Sequence, residues 1–96
     1  MKTERFNGVL LSGHKQAAVE LPFDPAECWH ILAVQLWPGR RGYPVAGTLN
    51  GTPFESSVVS RSKRNYVLIE DKLRQRTGAA IGDSVALTLQ PQTIAP

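Results

Sequence analysis

Few residues in this chain are equipped for covalent chemistry. Cys28 and His30 offer a thiol beside an imidazole, the raw material of an activated nucleophile. The segment around them reads as a helix, where positions two apart face nearly opposite ways, so the two do not meet. Cys28 therefore reads as a small buried apolar residue. His14 falls in a turn, and the two histidines with Cys28 make no recognised metal spacing. Ser56 and Ser57 lie in a strand with no evident base. There is no glycine-rich phosphate loop, no Gly-x-Ser-x-Gly elbow and no His-Glu-x-x-His. Asp24, Glu27 and Asp71 read as helix caps and Asp83 as a turn residue. The expectation is a protein that is not an enzyme, with no catalytic residue, no metal and no cofactor.

Recognition is better supplied than catalysis. The run Arg61-Ser62-Lys63-Arg64-Asn65 is the densest positive cluster, and three cations at a turn can reach phosphates while Ser62 and Asn65 add hydrogen bonds. The matching turn earlier in the chain carries His14 and Lys15. A second cluster at 37–44 combines Trp37, Arg40, Arg41 and Tyr43, residue types that stack on rings and bury area at little entropic cost. Two partner classes follow. A nucleic-acid contact would use Arg61, Lys63 and Arg64, helped by Lys15, Arg40 and Arg41. A protein or small-ligand adaptor would use Trp37, Arg40, Arg41 and Tyr43. In both clusters the plain alternative is a solvated turn or an aromatic packed onto its own barrel.

Composition permits either reading. The chain has 96 residues, 42% hydrophobic and 20% charged, with a formal net charge of +3. That is ordinary globular material for one small domain, mildly basic on its surface. A single cysteine excludes an internal disulfide and a multi-cysteine zinc site, so a reducing compartment, the cytoplasm, is the expected home. No apolar run suits a signal peptide or a membrane span, and no membrane partner is expected.

The elements that must position these residues come in two sets. Residues 6–11 and 17–21 read as strands around a turn at 12–15. Asp24-Pro25-Ala26-Glu27 is a helix start: Asp24 accepts from an orphan N–H, Pro25 has none to waste, and Glu27 can reach back. Trp29, Leu32 and Ala33 supply that helix with an apolar stripe, and Pro38-Gly39 ends anything helical before it. The stretch 37–44 is expected to be an exposed loop. Residues 45–49 form a strand running into Asn50-Gly51, the strongest short hairpin signal. Residues 54–59 and 66–69 are strands around a polar turn at 60–65. Residues 71–77 form a helix capped by Asp71 or Glu70 and ended by Gly78. Residues 84–90 alternate cleanly, with Val85, Leu87 and Leu89 facing inward.

The two sets are related. Residues 6–21 align without gaps on residues 54–69, Phe6 on Phe54, Leu10-Leu11 on Val58-Val59 and Val19 on Val67. Val45 to Leu49 returns as Val85 to Leu89. The offset falls from 48 to 40 between the two blocks, so the first copy carries eight more residues, and the extra material includes Trp37 to Pro44. The expected fold is mainly β: a single domain over 1–96, with two ββαβ copies at about 5–50 and 53–91 closing around one core by a pseudo-two-fold axis. Six strands and two short helices would form a small barrel, and closure would remove exposed edges. A monomer is expected.

Residues 45–91 and the strand 18–21 followed by Pro22 resemble the bacterial domain-of-unknown-function family numbered 1905. The resemblance rests on Asn50-Gly51-Thr52-Pro53-Phe54, on the strand from Tyr66 to Ile69 with its basic helix, and on Gly82-Asp83-x-Val85. It implies a double-split β-barrel similar to the swapped-hairpin barrel of AbrB-like and MazE-like regulators, built here from one chain. It implies no activity and no catalytic residues.

Overall fold

The computed structural model describes residues 3–13 and 16–92. His14 and Lys15 lie outside the described residues. Seven strands and two short helices follow one another as β1 (Glu4–Val9), β2 (Ala17–Glu20), α1 (Pro25–Trp29), β3 (Val34–Trp37), β4 (Arg40–Leu49), β5 (Thr52–Arg61), β6 (Arg64–Ile69), α2 (Asp71–Thr77) and β7 (Ser84–Pro91). The fold is mainly β, a curled antiparallel sheet in the order β1-β7-β4-β5-β6-β2, with β3 attached to β4. The sheet curls until Leu11, just past β1, exchanges backbone hydrogen bonds with Ala18 of β2 at 2.8 and 3.0 Å.

Inward positions follow the period of two. Val85, Leu87 and Leu89 are buried on β7, and Leu10, Val19, Val45, Leu49, Val58, Val67 and Ile69 complete the centre. Burying aliphatic side chains of this size contributes roughly 1.5–3 kcal/mol each. Leu21, Trp29 and Leu73 belong to the same core. Phe23 stands edge-on to both Phe6 and Trp29, with ring centroids 5.8 and 5.2 Å away.

Strand registers repeat between the two halves. Phe6 stands opposite Leu87, and Phe54 opposite Gly47. Leu11 bridges Ala18, and Val59 pairs with Tyr66. Val19 lies across from Val67, and Thr48 across from Thr88, each opposite its own sequence counterpart. The Thr48 and Thr88 hydroxyls share a hydrogen bond of 2.8 Å.

Turns and caps show the expected chemistry. Asn50 and Gly51 have φ of 49° and 87°, the two positive values a type I′ turn needs. Asp24 Oδ1 accepts from the Ala26 N–H at 2.9 Å and caps α1. Gly78 ends α2 in the left-handed region, its N–H bonded to the Arg74 carbonyl. Glu70 is the second helix's N-cap and makes no side-chain cap bond.

Three expectations need correcting. The first helix stops at Trp29, where His30 turns left-handed at φ 55°, so the stripe through Leu32 and Ala33 does not form and Leu32 is 88% exposed. The stretch 37–44 is not a loop. Val34, Leu36 and Trp37 make a strand, Pro38-Gly39 turns it, and Arg40 begins β4. Proline then glycine, with Gly39 at φ 82°, suits a type II turn, so a signal read as a stop is a hairpin. The basic turn is also tighter than six residues. Only Ser62 and Lys63 lie between β5 and β6, both at positive φ.

Candidate functional site

The site begins with strand alternation. On β5, Ser57, Val59 and Arg61 point away from the core. On β6 the same face carries Arg64, Tyr66 and Leu68, and on β2 it carries Ala18 and Glu20. On β4 it carries Arg40 and the buried Gly42, beside Trp37 of β3. The β3–β4 hairpin on one side and the chain at Ser12, Gly13 and Gln16 on the other flank this outer face. The result is an open groove of about 890 Å³. Its floor is apolar: Leu11, Ala18, Val59, Tyr66 and Leu68. One wall is Trp37 with Arg40, and the opposite wall is the chain at Ser12, Gly13 and Gln16.

Two glycines shape it. A Cβ on Gly42 would lie 2.1 Å from the Val58 carbonyl oxygen, so only glycine lets β4 lie this close to β5 beneath the wall. A Cβ on Gly13 would meet the Gln16 carbonyl carbon and oxygen. Beyond Val58 the β5–β6 ladder ends, and the Ser56 hydroxyl donates to the Leu68 carbonyl across the gap.

Charge is unevenly placed along the groove. Arg40 and Arg61 line one end, and Arg40 Nη1 donates to the Ser60 carbonyl at 3.4 Å, beside Arg61. Arg61 stands directly opposite Arg64, and like charges facing each other across strands are unfavourable. Glu20 offsets Arg64 through an ion pair of 3.2 Å. The side chains of Arg61 and Lys63 have no hydrogen-bond or ion-pair partner among the described residues. Glu70, six residues past Arg64, is the groove's one carboxylate and marks the other end, about 20 Å along a strand from the arginines.

The two clusters read from the sequence thus converge in part. Trp37, Arg40 and Arg61 share the groove, with Lys63 and Arg64 at the neighbouring hairpin tip. Arg41 and Tyr43 do not join them. They lie on the other face of β4, where Arg41 Nη2 donates to the Ala33 carbonyl at 2.9 Å and Tyr43 packs against the core. Lys15 lies outside the described residues. Cys28 packs partly buried against the core, while His30 is exposed. No group of three or more metal-ligating side chains occurs among the described residues.

The family model described as Domain of unknown function (DUF1905) matches residues 6–89. The chain belongs to that family. Every groove residue from Leu11 to Glu70 falls inside the DUF1905 match. Comparison with curated proteins finds no significant relative. No helix among the described residues of this DUF1905 domain is long and apolar enough to cross a membrane.

Sequence reasoning missed Tyr66, Val59, Leu11 and Ala18 as groove residues. A signal was present. Leu10-Leu11, Ala17-Ala18 and Val58-Val59 are apolar doublets that break the period of two. A strand with apolar residues on both faces has both faces to cover or to use.

Proposed function

We propose that this chain is a non-catalytic binding module, monomeric and cytoplasmic, whose groove and basic hairpin tip take nucleic acid. Its frame is a double-split barrel of two related ββαβ copies, akin to that of AbrB-like and MazE-like regulators. The matching registers and the self-opposed pairs Val19–Val67 and Thr48–Thr88 support that frame.

One observation carries the functional reading: Arg40 and Arg61 line the same groove as Trp37 and Tyr66, next to a tip bearing Lys63 and Arg64. The tip holds this charge at a cost. Lys63 and Ser62 occupy the left-handed region, where non-glycine residues are disfavoured, and Arg61 faces Arg64. A polyanion relieves that repulsion and releases its own counterions. The non-catalytic part is supported by the engaged Ser56 hydroxyl and by a groove with a single carboxylate. The rival adaptor reading has weaker support, because Arg41 and Tyr43 face away from Trp37 and Arg40.

Fluorescence anisotropy with labelled oligonucleotides at about 50 and about 200 mM salt tests the proposal. Affinity falls steeply between the two, and charge reversal at Arg61, Lys63 and Arg64 abolishes binding. No binding of any oligonucleotide at the lower salt ends the reading.

A further inference from the structure

Resting on that reading, we infer that the ligand is a single strand rather than a duplex, with a base stacked on Trp37 above the Tyr66 floor and its phosphates between Arg40 and Arg61. Three observations lead there.

The first is uncovered apolar surface. Trp37 is 46% exposed and Leu11 40% exposed on opposite sides of the groove. Half-buried Tyr66 and Leu68 lie between them along β6. A duplex keeps its base faces stacked on one another and offers nothing to this surface. An unpaired base brings a π-face that stacks on an aromatic whatever its sequence.

The second is shape. Duplex readers insert a helix or a ribbon into the major groove. Here the helices have five and seven residues, and the β5–β6 ribbon carries Arg61 and Arg64 beside its tip while Tyr66 and Leu68 lie further back along the strand. An unpaired strand can lay a base back along that ribbon, whereas a duplex meets the cations at its tip.

The third is polarity. Cations occupy one end, apolar groups the middle, and Glu70 the other end. Phosphates gather by Arg40 and Arg61 and are repelled at Glu70, while the base lies between. Glu20 engages Arg64 and forms no ion pair with Arg40 or Arg61 among the described residues, and Arg40 itself bonds only to the uncharged Ser60 carbonyl.

The test uses the full chain with a fluorescein-labelled oligothymidylate, the same strand annealed to its complement, and thymidine monophosphate as competitor. The single strand binds at least tenfold tighter than the duplex. Trp37→Ala weakens single-strand binding by roughly tenfold to a hundredfold, and Trp37→Phe restores part of it. Arg40→Gln with Arg61→Gln lowers the salt slope by about 0.7 for each phosphate that the pair no longer neutralises. Equal affinity for strand and duplex with Trp37→Ala silent overturns this inference and leaves the nucleic-acid reading standing. Displacement of the strand by equimolar monophosphate makes the ligand a free nucleotide and overturns the assignment to a strand. Failure of both strand and duplex to bind removes the broader reading with it.

Discussion

After each helix the chain must return to the sheet, and it does so in two ways. After α2 it turns within Gly78 to Asp83, and that turn pins the end of the first strand: Leu10 donates to the Asp83 carbonyl at 2.9 Å and Gly82 donates to the Leu10 carbonyl at 2.7 Å. After α1 the chain makes β3 and a hairpin before it reaches the same place. There Tyr43 of β4 pairs with Val58, the counterpart of Leu10. One backbone need is met twice, by a tight turn in one copy and by a long strand in the other. The extra residues of the first copy are thus not needed to complete the sheet. They raise Trp37 and Arg40 as a wall on one side of the groove. The comparison separates what holds the fold from what furnishes the surface.

Removing residues 33–40 breaks the comparison most sharply. The shortened chain should still unfold cooperatively in denaturant, while its affinity for a labelled single strand falls tenfold or more. Loss of the cooperative transition would mean that the hairpin is structural after all. Next come the counterparts Leu49 and Leu89, both fully buried. Leu49→Ala and Leu89→Ala should each cost about 2–5 kcal/mol in urea titrations. A cost confined to one copy would show that the two do not share the core equally. Gly47 sharpens the contrast further, since its counterpart is Leu87. A Cβ at 47 would collide with the backbone oxygen of Thr88, so Gly47→Ala should cost about 1–3 kcal/mol, read as a lower thermal midpoint. The smallest effects lie at the helix starts. Asp24→Ala should cost about 1 kcal/mol because a real cap bond is lost. Glu70→Ala, at a position with no such bond, should stay within about 0.5 kcal/mol.

Much of the frame was legible because it rests on local rules. The alternation of Val85, Leu87 and Leu89, the Asn50-Gly51 turn, the Asp24 cap and the Gly78 stop all appear as read. The hairpin of β3 was not. Its four residues pair with one strand only, and Pro38-Gly39 can end a helix as readily as it turns a hairpin. Where helix α1 ends was hidden too. The spacing of Trp29, Leu32 and Ala33 fits a helix, yet His30 breaks it, and Leu32 carries no tertiary burden. Half of the candidate site was visible as charge and aromatics. The rest depends on neighbours distant in sequence: Val59 and Tyr66 form a floor only because the β3–β4 hairpin and the chain at Ser12, Gly13 and Gln16 flank them, and Arg41 leaves the site only because β4 alternates past Arg40. Neither the flanking segments nor the phase is encoded in a single residue type.

The attachment of β3 has a consequence for motion. It hangs from β4 alone among the described residues, and its register slips between Gln35 and Trp37. Short strands with one ladder and little burial open at low free energy, well before the domain as a whole. Amide protons of Val34 to Trp37 should therefore exchange with deuterium long before those of Val45 to Leu49, so that the aromatic wall swings on a rigid base and occupancy by a ligand registers as slowed exchange in that strip alone.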